Sequence, residues 1–256
     1  MSLLVLDKAT IRFDGLVAVN NVSFELQPKD LFGLIGPNGA GKTTCFNMIT
    51  GIYRPTSGDI RFNGRSIVGL KPHTIARLGI CRTFQNIRLF GALTALENVV
   101  VAAHLRHKTN LLEAIAYLPS AIQETQELVE YSMSLLKTFN LEHRANVRSQ
   151  DLPYGDQRRL EIARAMATRP TLLLLDEPAA GMNPYETSTL MEQIRRLRDE
   201  FQQTILLIEH DMKVVMGICE KIVVLDHGTE IAYGSPKEIQ NNPKVIEAYL
   251  GEPVEA

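Results

Sequence analysis

Gly36-Pro37-Asn38-Gly39-Ala40-Gly41-Lys42-Thr43 is the stretch that decides the fold, because it fits the spacing glycine, four residues, glycine, lysine, then serine or threonine. Glycines at this spacing let consecutive backbone N–H groups curl around phosphate oxygens, and the positive end of a following helix adds to the attraction. Lys42 is expected to reach the β- and γ-phosphates and Thr43 to offer its hydroxyl to Mg²⁺, with Thr44 completing the nucleotide-binding set. Upstream, Leu31-Phe32-Gly33-Leu34-Ile35 reads as a buried strand, and Lys42 to Thr50 has helix-compatible composition. A merely glycine-rich turn would account for the glycines but not for a Lys-Thr pair at a strand-to-helix junction.

The second element is Leu172-Leu173-Leu174-Leu175-Asp176-Glu177, an apolar strand that ends in two acids. Burying a carboxylate without a partner is costly, so acids here call for a reason. At the carboxyl end of a parallel strand, Asp176 is placed to hold Mg²⁺ directly or through water. Glu177 is then the candidate general base for an attacking water. A solvated turn would explain a lone Asp-Glu pair; in the same chain as a phosphate loop, the catalytic reading is favoured. The two motifs together describe a P-loop NTPase.

The rest of the chain agrees. The first third alternates apolar and polar residues, as in Thr10 to Phe13 and Val22 to Leu26, predicting short strands. From about Leu96 to Leu141 helix is expected, with Leu128, Met133, Leu135, Leu136 and Phe139 as its apolar stripe. Beyond Thr171, apolar runs at Leu172–Leu175, Thr204–Ile208 and Ile222–Leu225 alternate with helical stretches near Tyr185–Phe201 and Met212–Cys219, which predicts a parallel sheet covered on both faces. With 256 residues, 45% of them hydrophobic, the chain can bury one large core. A net charge of -2 without long runs of one sign gives no electrostatic footprint for nucleic acid. No apolar run approaches the roughly 20 residues of a membrane span. Met1 to Lys8 lacks a secretory signal, and the three cysteines, Cys45, Cys81 and Cys219, suit a reducing compartment, so a cytoplasmic location is expected.

The spacing of these motifs and of those that follow resembles the ATP-binding-cassette family across nearly the whole chain. That resemblance implies an α/β fold: a P-loop NTPase core with a mostly parallel sheet, an N-terminal antiparallel β subdomain, and a helical subdomain inserted at about residues 92–168 of a single domain spanning 1–256. Gln85, in Arg82-Thr83-Phe84-Gln85, resembles the family glutamine that contacts Mg²⁺ or water and relays nucleotide state to membrane subunits. Leu152-Pro153-Tyr154-Gly155-Asp156-Gln157 occupies the place of the signature Leu-Ser-Gly-Gly-Gln, a loop that in the family completes the ATP site of an opposing cassette. His210 resembles the switch histidine that touches the γ-phosphate. Gly181-Met182-Asn183 matches the loop that communicates across the dimer, with Asn183 where the family usually has Asp. Phe13 sits where the family stacks an aromatic ring on adenine; an ordinary core phenylalanine is the competing reading.

Longer strings, RTFQNIRLF from Arg82, LPYGDQRRLEIARA from Leu152, DEPAAGMNP from Asp176 and the ending Asn242 to Gly251, are similar to the ATPase subunits of branched-chain amino-acid importers. The implied partners are a second ATPase subunit, in a hetero- or homodimer, two permease subunits and a periplasmic substrate-binding protein. The implied location is the cytoplasmic face of the membrane, and the implied cofactors are ATP and Mg²⁺. Pro153 removes a hydroxyl and a backbone donor from the signature, Tyr154 replaces a glycine, and Asp156 is expected to add negative charge near a phosphate, which would weaken the site this loop completes. Importers of another solute, a non-transport cassette protein, a P-loop kinase and a non-catalytic nucleotide-gated scaffold are the alternatives; the kinase leaves the signature-like loop, Gln85 and His210 without a role, and the scaffold has no need of a base at Glu177. His104 and His107, one helical turn apart, lack a third metal ligand and read as a solvated face, and Cys45 reads as a small packing residue.

Overall fold

The computed structural model describes residues 2–106 and 119–250. An antiparallel sheet opens the chain. β1 (Leu4–Phe13) and β2 (Leu16–Leu26) form a hairpin, and β1 also pairs with β4 (Ser57–Phe62), which carries β5 (Arg65–Ser66) at its edge. The alternating runs at Thr10–Phe13 and Val22–Leu26 are therefore only the ends of longer strands, whose register shifts at bulges interrupt the period-two pattern. The hairpin turns at Asp14-Gly15, both at positive φ, as a two-residue type I′ turn requires.

The second sheet carries the site. β3 (Leu31–Ile35), β6 (Ile80–Arg82), β7 (Leu172–Asp176), β8 (Thr204–Ile208) and β9 (Lys221–Asp226) run parallel, and β10 (Thr229–Gly234) adds antiparallel to β9 through a turn at His227-Gly228. The spatial order is β10-β9-β3-β8-β7-β6. Every residue of β3, β7 and β8 is buried, which is why these strands read as unbroken apolar runs.

Alternate residues of these strands feed two separate cores. Phe32, Leu34, Leu172, Leu174, Leu206 and Ile208 pack with Phe46 and Ile49 of α1 (Lys42–Ile49) and with the antiparallel sheet. Leu31, Ile35, Leu173, Leu175, Ile205 and Leu207 pack against helices on the other face. Each fully buried leucine contributes about 1.5–3 kcal/mol, so both faces of β7 are committed to packing and only its end is available for chemistry.

α2 (Pro72–Leu78) leads into β6. Among the described residues the stretch from Arg82 to Leu172 holds helices and no strand: α3 (Ala95–Ala103), entered through a Thr94–Glu97 capping box, then α4 (Pro119–Thr138) and α5 (Tyr154–Ala167). This is the helical insertion, and we propose that it forms a subdomain near the expected bounds of 92–168. Of the predicted stripe, Leu128, Leu135 and Leu136 are buried along α4, Phe139 is buried just past its end, and Met133 packs partly buried against the same core. Among the described residues the remaining α-helices are α6 (Pro184–Phe201), α7 (Met212–Ile218), α8 (Pro236–Gln240) and α9 (Pro243–Leu250). No helix among the described residues is long and apolar enough to cross a membrane. His107 and Gly251 lie outside the described residues.

Candidate functional site

Three parallel strands, β3, β8 and β7, lie side by side and end together, so that Ile35, Ile208 and Asp176 deliver their following loops to one crevice. The loop after β3 is the glycine-rich stretch. Gly36 has φ 148, and a Cβ there would lie 2.0 Å from the Leu225 carbonyl oxygen; at Gly41, φ 98, it would lie 2.7 Å from that of Ala18. The tight curl therefore has room for no side chain at either position. Gly41 precedes α1, whose first-turn N–H groups are left to a ligand, because no acid and no side-chain cap occupies that end.

Lys42 folds back over this loop and donates from Nζ to the carbonyls of Gly36 at 2.7 Å and Pro37 at 2.8 Å. Burial lowers its pKa, opposed by the charges of Glu177 and Asp176. Residues Asn38 to Thr44 line a cavity of about 490 Å³ together with Val17, Ala18, Gln85 and Glu177. A second cavity of about 430 Å³ is lined by Pro37, Asn38, Gln85, Glu177, His210 and Tyr249. The phosphate loop, Gln85, Glu177 and His210 are thus brought to one place from four segments of chain.

Asp176 is 3% exposed and has a partner that sequence reading missed, Arg82 at the end of β6, whose Nη2 donates to Oδ2 at 2.6 Å. Arg82 also donates from Nη1 to Asn47 Oδ1 at 2.7 Å, and its guanidinium stacks between Phe46 and Phe84. Glu177 turns sharply out of β7 with φ 48, uncommon for a residue with a side chain, while its N–H still bonds the Ile208 carbonyl at 2.9 Å. Its Oε2 accepts from Gln85 Nε2 at 2.8 Å and lies 3.8 Å from His210 Nδ1. Beside it, Glu209 is buried, accepts from the Ala179 N–H at 2.8 Å, and has its pKa raised by burial. Glu209 therefore ties the loop after Glu177 to the loop that carries His210.

The Thr43 hydroxyl, the Gln85 side-chain oxygen and the Asp176 carboxylate are oxygen donors, the ligand type that Mg²⁺ takes from proteins while phosphates and water fill its other positions. Asp176 keeps one oxygen outside its bond to Arg82. The residues present fit the ion.

The other expected residues lie apart from this cluster. Phe13 is 40% exposed, with its ring edge-on to Tyr53 at a centroid distance of 5.1 Å, so it is not a core residue. Leu152 is buried, Pro153 stands at the N-cap position of α5 without a side-chain cap, and Gln157 donates from Nε2 to the Leu152 carbonyl at 2.8 Å. Asp156 is 8% exposed, bonded to Arg159, and 3.8 Å from Arg144, so its negative charge has arginine partners within the chain. Asn183 is the N-cap of α6; its side chain accepts from the Glu186 N–H at 3.0 Å and Glu186 answers at 3.0 Å. Asn and Asp cap helices equally well, which explains how Asn stands there. Met182 packs partly buried against the core, and Gly181 turns with φ 77.

Against known proteins, the model of the ABC transporter family matches residues 19–180. This chain belongs to that family. The match covers the phosphate loop, Gln85, the signature-like loop and the Asp176-Glu177 strand of this ABC ATPase. A second model, described as branched-chain amino acid ATP-binding cassette transporter, matches residues 230–255. The ABC ATPase is 51% identical, over 98% of each chain, to the high-affinity branched-chain amino acid transport ATP-binding protein LivG of Escherichia coli (strain K12). It is 52% identical, over 95% of each, to BraF of Pseudomonas aeruginosa, which carries the same description. Among solved structures, an ATP-binding cassette of an ABC transporter in its ADP conformation superposes with a TM-score of 0.85 at 30% identity, covering 98% of this chain and 100% of that one.

Proposed function

We propose that this ABC ATPase energises the uptake of branched-chain or related hydrophobic amino acids through separate permease subunits. The observation that carries the reading is 51% identity to LivG across 98% of both chains, together with the match of residues 230–255 to a branched-chain-specific segment. In the complete importer the chain works with a second cassette, two permeases and a periplasmic binding protein, and sits on the cytoplasmic face of the membrane.

The phosphate loop from Gly36 to Thr44 holds the nucleotide phosphates, and Lys42 exchanges the Gly36 and Pro37 carbonyls for phosphate oxygens. Thr43, Asp176 and Gln85 would hold Mg²⁺, which would neutralise charge on the phosphates. Glu177 accepts a proton from the attacking water, Gln85 holds the Glu177 carboxylate in place, and His210, beside Glu177, contacts the γ-phosphate. Leu152 to Gln157 completes the ATP site of the facing cassette, Gly181 to Asn183 lies along the contact between the two, and Phe13 stacks on adenine.

Reconstitution tests the reading. The chain, purified with its permeases and second cassette and placed in liposomes with the binding protein, is expected to hydrolyse ATP faster when leucine, isoleucine or valine is present. Stimulation by a polar amino acid or urea, and by none of these three, would contradict it.

A further inference from the structure

Helix α5 carries three charged residues at intervals of three, Arg158, Glu161 and Arg164, all turned toward the segment 84–88 that contains Gln85. Arg158 donates from Nη1 to the Phe84 carbonyl at 2.9 Å and from Nη2 to the Gln85 carbonyl. Glu161 accepts from the Arg88 N–H at 3.2 Å, and Arg164 donates to the Arg88 carbonyl. One helix face therefore grips the loop at both ends. Arg158 and Glu161 are 3% and 2% exposed, and an ion pair so buried is weak evidence of stabilisation in itself.

Arg158 has a fourth partner. Its Nε donates to Tyr154 Oη at 3.1 Å, and its guanidinium lies 5.5 Å from the centre of the Tyr154 ring. Tyr154 stands in the signature-like loop and leans on the communication loop, where a Cβ on Gly181 would lie 3.1 Å from Tyr154 Cε1. A guanidinium is planar, rigid and always charged, so a displacement at one edge of the fork is felt at the other. We propose that Arg158 is a positioning residue that makes the signature-like loop and the Gln85 loop move as one body, so that the contact of Gln85 with Glu177 is set by where Tyr154 stands. The departure from glycine at Tyr154 then has a use: glycine could offer Arg158 no hydroxyl. The catalytic half of this inference rests on the reading of Gln85 and Glu177 given above; the mechanical half does not.

Amide hydrogen exchange on the full chain without nucleotide reads the mechanical half directly. Tyr154→Phe, which removes one hydroxyl from a half-exposed ring, is expected to speed exchange in residues 84–88 several-fold while leaving the phosphate loop unchanged. Arg158→Lys is expected to do more, and Tyr154→Phe to add nothing in that background. Should Arg158→Lys fail to fold, Arg158→Met with Glu161→Leu, which removes both members of the buried pair, takes its place. Exchange altered only around residues 152–158, or effects that add, would overturn the coupling whatever the ATP chemistry. In the reconstituted transporter Tyr154→Phe should lower kcat several-fold; unaltered kcat would overturn the positioning of Gln85.

Discussion

Arg82 Nη2 sits 2.6 Å from Asp176 Oδ2, and both side chains are almost wholly shielded from water, 6% and 4% exposed. The strand that ends in acids is thus neutralised in part by the strand beside it. Arg82→Met leaves Asp176 buried and unpaired, for which a loss of about 3–5 kcal/mol is expected in urea unfolding. Arg82→Met with Asp176→Asn should recover most of that loss, because no buried charge remains.

Lys42 now holds two loop carbonyls that can offer nothing to an anion. Removing its ammonium by Lys42→Ala should cost about 1.5–3 kcal/mol of charged hydrogen bonding to the phosphates, a roughly 10- to 100-fold weaker nucleotide affinity. Titration with a fluorescent ATP analogue checks it, and the thermal midpoint of the free chain reports whether the loop survives.

Asn183 is engaged with Glu186 in a reciprocal cap. Asn183→Asp should leave stability within a few tenths of a kcal/mol, whereas Asn183→Ala should cost about 1 kcal/mol. Denaturant unfolding of the two variants separates the capping role from a charge carried across a dimer, which would respond to Asp in transporter turnover alone.

Burial pushes the thiols of Cys45 and Cys219 up from 9.0 to about 12, for Cys219 with help from Glu209 and Glu220. Their neutral forms are favoured in the fold, so this contribution to stability is intact below pH 9 and is lost as pH rises toward 12. Both cysteines should resist iodoacetamide at pH 8 in the native chain and react after unfolding, as followed by mass spectrometry.

The local part of the site is legible in the sequence because its chemistry is written in contiguous residues: the curl from Gly36 to Thr43, the apolar run into Asp176-Glu177, and the capping signal Asn183-Pro184-Tyr185-Glu186. The turns at Asp14-Gly15 and His227-Gly228 carried readable signals too, but bulges in β1 blurred the alternation around the first. What lies beyond reach is pairing across distance. Arg82 meets Asp176 and Arg158 meets Phe84 only because β6 lies beside β7 and α5 covers the loop after β6. Tyr249 enters the cleft from α9 in the same way, and its buried hydroxyl beside Gly36 has no signal in a one-dimensional pattern. Asp156 shows both cases: Arg159, three residues on along the same helix, is visible beside it in the sequence, while Arg144, brought within 3.8 Å by the fold, is not.

Phosphate release by the transporter carrying Glu177→Gln, measured beside nucleotide binding to the same variant, tests the central claim most directly. The geometry around Gln85, Glu177 and His210 predicts turnover lower by about 10²- to 10⁴-fold, the range lost with a general base, and ATP affinity retained. Turnover close to that of the unaltered chain would contradict the assignment of hydrolysis to this cleft.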